Sequence, residues 1–96
     1  MKASEALDLH REEIRRIILA NKAENPRVFG SVATGLDDED SDLDILLDPT
    51  DGMDLFDLNG LANDLEELLH VSVDVITERS IRPRFRDSIL SSTRPL

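Results

Sequence analysis

No cysteine occurs in this chain, which rules out disulfides and thiolate metal sites. Nor is there an apolar run long enough to span a bilayer, or the pattern of a signal peptide. A cytoplasmic address with no membrane partner is the simplest expectation. Lys and Arg are missing from the whole stretch between Val28 and Glu78, and all 11 of them fall in residues 1–27 and 79–96. The formal net charge is −10, and ten of the 21 acidic residues lie between Asp37 and Asp57. Phosphate backbones need basic surface, so direct nucleic-acid binding is not expected. No internal repeat or low-complexity linker interrupts the 96 residues, which read as one domain, 1–96, with room for a single modest core.

An acidic middle with no basic residue is ordinarily just a solvated surface. Here it carries a pattern. Gly30-Ser31 is followed, ten residues later, by Asp42-Leu43-Asp44-Ile45-Leu46-Leu47. A glycine lets backbone approach a phosphate closely. Two Asp at i and i+2 of a strand point to one face, and paired carboxylates of that kind hold Mg²⁺. A third carboxylate, Asp74 in Val73-Asp74-Val75, joins them if its strand pairs beside theirs. The backbone N–H groups of the Gly30 turn and the Ser31 hydroxyl are candidate donors to triphosphate oxygens. A calcium loop built on Asp40, Asp42 and Asp44 fails, because Ile45 stands where glycine is needed and no Glu occupies the twelfth place.

Hydrophobic spacing predicts a helix over 4–22, with Leu7, Ile14, Ile17 and Ile18 on one face. A break at Asn25-Pro26 precedes a short strand over 27–31. A tight turn or short helix follows over 33–38. A strand over 42–48 turns Leu43, Ile45 and Leu47 to the core and Asp42 and Asp44 away from it. Asp54 caps a helix over 54–70, whose stripe is Leu55, Leu58, Ala62, Leu65 and Leu69. A third strand covers 71–77, and a last helix covers 80–92 with Ser80 as cap and Pro83 in the first turn. The expected fold class is α+β: a small mixed sheet with helices packed on one face and the other face open for substrate. Arg82, Arg84 and Arg86 of the last helix are candidates to help neutralise a triphosphate, though balance of the acidic surface is the favoured reading of them. His10 and His70 are given no role.

Gly30-Ser31 with Asp42-x-Asp44 and Asp74 resembles the DNA polymerase β-like nucleotidyltransferase superfamily. The chain looks most like the minimal nucleotidyltransferases that act as antitoxins to HEPN-domain ribonucleases, and the likeness runs from about Arg27 to the C-terminus. The family often carries Arg after the alanine of the motif, where this chain has Thr34. The resemblance implies a polymerase β palm-like fold. It implies that Asp42, Asp44 and Asp74 bind two Mg²⁺ ions and that ATP is the substrate. It also implies that AMP passes to a hydroxyl of a HEPN toxin, most simply a tyrosine, which silences the toxin. A different class of function stays open beside it, an antitoxin that masks its toxin by contact with little or no catalysis.

Overall fold

The computed structural model describes residues 1–96. Two short helices, α1 (Ala3–Leu9) and α2 (Arg11–Ala20), lead into strand β1 (Ala23–Phe29). Helix α3 (Gly30–Thr34) follows at once, then strand β2 (Leu43–Pro49) and helix α4 (Leu55–Leu69). Strand β3 (Val73–Ile76), a single 3₁₀ turn at Glu78–Ser80, helix α5 (Pro83–Ser92) and strand β4 (Arg94–Pro95) complete the chain. The sheet order is β3-β2-β1-β4. β1 runs antiparallel to β2 and β4, and β2 runs parallel to β3, so the sheet is mixed as expected. No helix is long and apolar enough to cross a membrane.

The main core lies on one face of the sheet. Leu43, Ile45 and Leu47 of β2 meet Ala6 and Leu7 of α1, Ile14 and Ile18 of α2, and Leu61, Leu65 and Leu69 of α4. Alternation along β2 sends Asp44, Leu46 and Asp48 to the opposite face. That face is less bare than the alternation suggests. Leu46 is fully buried, yet it stands outside the main core cluster, as does buried Ile81. Arg27, opposite Leu46 in the ladder, is only 15% exposed. Its guanidinium reaches Asp48 at 2.6 Å and Glu78 at 3.3 Å, and Glu78 takes a second ion pair from Arg86 of α5 at 3.0 Å. This chain of charges ties α5 to the face that carries Asp44. Changing Arg27 to Met should lower unfolding free energy in urea by about 1–3 kcal/mol, because two partly shielded carboxylates lose their shared cation.

Several expected elements differ in detail. The helix expected over 4–22 breaks at His10, whose backbone leaves helical geometry. The apolar stripe is continuous, but α1 also packs against α4, and the bend lets both pieces bury their small and branched residues. Asn25-Pro26 does not end an element. It forms an irregularity within β1, with Asn25 at φ +50°, between residues paired to β2 on either side. The short helix begins at Gly30 rather than at residue 33. Ser80 does not cap α5. Pro83 pushes Arg82 into extended backbone, so the helix starts at the proline, and the Ser80 hydroxyl donates to the Thr77 carbonyl instead. Asp54 does cap α4, accepting from the Asp57 N–H at 2.9 Å while the Asp57 carboxylate accepts from the Asp54 N–H. Leu61 takes the core place expected of Leu55, which is 76% exposed.

Candidate active site

Asp44 stands at the centre of the site. Its ladder neighbours are Phe29 of β1 on one side and Asp74 of β3 on the other. In-register parallel pairing sets the Asp44 and Asp74 backbones one strand spacing apart, about 4.8 Å, with both side chains on one face. Asp42 lies just before β2 and is exposed, as is Asp74, whereas Asp44 is half-buried. The structure therefore brings the three aspartates into one neighbourhood. The Asp44 carboxyl is pushed up from 3.8 to about 6, chiefly by its burial, then by the nearby charges of Asp74 and Asp42. Negative charge is crowded here and no guanidinium or ammonium relieves it.

Gly30 abuts this carboxylate. Its φ is +69°, and a methyl group added to it would overlap Asp44 Oδ2 and lie 3.4 Å from Asp44 Cγ. The strand-to-helix turn thus requires glycine twice over, for its left-handed backbone and for the room Asp44 takes. Close approach of a phosphate is the reason the sequence offers; the structure adds a carboxylate already lodged against the glycine. Ser31 is half-buried and its hydroxyl makes no hydrogen bond within the protein. Its carbonyl accepts from the Leu36 N–H at 2.9 Å, which closes α3. The first N–H groups of a helix have no intrahelical acceptor, so the start of α3 leaves donors free beside Asp44.

Other residues singled out in the sequence have local partners. The Thr34 hydroxyl donates to the carbonyls of Gly30 and Ser31 at 3.3 and 3.2 Å, so an uncharged group fills this place. The Ser41 hydroxyl accepts from the Asp38 N–H and donates to the Asp38 carboxylate, closing a turn, and makes no hydrogen bond to the Asp42 side chain. Arg86 is held by Glu78, and the Arg84 guanidinium sits 4.7 Å over the Phe85 ring. Arg27 carries the signal that pattern reading passes over: a cation two residues before Phe29, hence on the face of Asp44, held in the same sheet by Asp48 and Glu78.

No three carboxylate or imidazole groups converge tightly enough to enclose a metal ion by themselves. The donor set nonetheless suits Mg²⁺. That ion keeps several waters and is held by one or two carboxylates together with substrate phosphates, not by an all-protein cage. Hard oxygen donors on adjacent strands, one of them raised in pKa by burial and by neighbouring negative charge, fit such a group.

The family model described as a nucleotidyltransferase domain matches residues 8–96. A Methanocaldococcus jannaschii protein named as a candidate protein adenylyltransferase is 41% identical over 83 residues, covering 82% of this chain and 89% of that one. A solved structure described as a candidate minimal nucleotidyltransferase is 42% identical with a TM-score of 0.85, covering 97% of this chain and 95% of that one. A solved structure described as tri-AMPylated Shewanella oneidensis HEPN toxin in complex with MNT antitoxin is more distant. At 22% identity and a TM-score of 0.69, covering 92% of this chain and 69% of that one, that likeness is one of fold.

Proposed function

The chain belongs to the nucleotidyltransferase domain family, and from that premise we propose that it moves AMP from Mg-ATP to a hydroxyl of a HEPN ribonuclease toxin, acting as the toxin's antitoxin. Its kinship with proteins named as candidate protein adenylyltransferases supports a protein acceptor, and the fold shared with an MNT antitoxin supports the partner. The observation that carries the reading is Asp44, ladder partner of Asp74, crowded by two further carboxylate charges and pressed against Gly30.

In this reading Asp42, Asp44 and Asp74 hold two Mg²⁺ ions, which supply neutralisation of the triphosphate and activation of the attacking hydroxyl. The chain's own groups do the rest. The N–H groups that open α3 and the free Ser31 hydroxyl donate to phosphate oxygens. Asp74, exposed at the surface, accepts the proton of the acceptor hydroxyl in this reading. The hydroxyl oxygen bonds to the α-phosphorus as the bridge to the β-phosphate breaks, and pyrophosphate leaves in line. The tyrosine acceptor and the choice of ATP belong to the same proposal. The acidic surface favours encounter with a basic partner.

The test pairs this protein with a HEPN ribonuclease toxin. Mixing the two with Mg-ATP should add AMP mass to the toxin on a tyrosine, and excess chelator should abolish it. The Asp42→Asn/Asp44→Asn double variant should still bind the toxin but add nothing. If that variant silences the toxin as fully as wild type while toxin mass never changes, neutralisation by contact replaces transfer.

A further inference from the structure

Leu55 and Phe56 are 76% and 86% exposed, side by side in the first turn of α4. Leu55 lines a hollow of about 300 Å³ together with Pro49, Met53 and Leu58 and with the polar side chains of Asp54, Thr77 and Arg79. A protruding aromatic thus lies beside a hollow of mixed apolar and polar lining on the same molecule. That lining carries both signs of charge. Arg79 has no carboxylate partner within the chain, and Asp54 has no cationic one. Capping of α4 occupies Asp54 on one side only, so its second oxygen stays free.

A patch that holds a knob, a hole, an anion and a cation together is complementary to itself. Under a two-fold axis, each residue i that meets j is matched by j meeting i. We propose that this face pairs with the same face of a second copy. Phe56 of each copy enters the other's hollow, and Arg79 of each meets Asp54 of the other. The charge pattern favours a second copy over a basic partner, because a basic partner would leave Arg79 facing like charge. The patch sits at the C-terminal ends of β2 and β3, beside Pro49 and Thr77, whereas Asp42, Asp44 and Asp74 sit at or near the start of those strands. Pairing here leaves both candidate active sites open to an acceptor.

Sedimentation velocity on the full chain, from micromolar to sub-millimolar concentration, reads the outcome directly. Wild type should pass from 10.8 kDa to twice that mass as concentration rises. Phe56→Asp should remain at the monomer mass throughout, with an unchanged melting temperature because the ring is exposed in the monomer. Arg79→Glu should also stay monomeric, because its carboxylate would face Asp54 of the other copy. A wild type that stays monomeric at every concentration overturns the proposal. So does a dimer that Phe56→Asp leaves intact, since pairing would then use another face.

Discussion

Replacing Asp44 with asparagine should lower transfer activity by roughly a thousandfold, about 4 kcal/mol on the barrier. The side chain keeps its shape, so the loss comes from one removed charge at the centre of three. The same change should make the folded protein more stable at neutral pH. The folded-state pKa of Asp44 is raised to about 6, mainly by burial, from an ordinary value of 3.8. A group with a raised pKa contributes stability that is fully present below the unfolded value and is lost as pH rises through the folded one. Wild type therefore carries a penalty above about pH 6 that the asparagine variant lacks. A shift of that size converts to about 3 kcal/mol at most, and solvent near a half-buried group brings it to about 1–2 kcal/mol. Urea titrations at pH 5 and pH 8 should show the variant's advantage growing with pH. Activity within a few-fold of wild type, or an advantage equal at both pH values, would remove Asp44 from the role assigned to it.

The second large effect is expected at Gly30. Gly30→Val should abolish measurable nucleotide binding and lower stability by about 2–4 kcal/mol, through a side chain at positive φ and overlap with the Asp44 carboxylate. Gly35 is the internal control. Its φ is +77°, but nothing lies within 4 Å of an added Cβ. Gly35→Ala should therefore carry only the backbone term, about 1 kcal/mol, and leave nucleotide affinity unchanged. In a Gly30→Ala background, trimming Asp44 to alanine should recover part of the lost stability and none of the activity. Calorimetric titration with Mg-ATP and urea melts read both quantities. If Gly30→Ala and Gly35→Ala behave alike, the contact with Asp44 carries no weight.

The frame of the fold is legible because its signals are local. Leu43, Ile45 and Leu47 alternate with aspartates and place β2, and Asp54 with Asp57 marks the start of α4. The neighbourhood of Asp42, Asp44 and Asp74 follows once two strands are set side by side. What pattern reading passes over depends on contacts distant in sequence. The bend at His10 answers to the packing of α1 on α4. β4 is two residues long, too short for any period, and it is held by the β1 edge, by Leu96 buried beneath it and by Arg15 reaching the Leu96 carbonyl. Leu46 looks like one more residue of an apolar run, and only Arg27 and the segment around Ile81 explain its burial on the far face. Gly30 is recognisable as a turn glycine, but its neighbour 14 positions onward is not.

The sheet order has a further consequence for solubility. β3 is an edge strand, and its sequence, Val73-Asp74-Val75-Ile76, is β-branched and apolar apart from one carboxylate. An open edge of that composition invites another chain to add a strand, and a charge in its middle is the usual deterrent. At the opposite edge β4 ends the sheet with Pro95, which has no N–H to offer a newcomer. Asp74 thus guards the sheet against self-templating whatever else it does. A neutral residue in its place would expose an aggregation-prone border, so lost activity in such a variant speaks about chemistry only in a sample shown by light scattering to be free of aggregates.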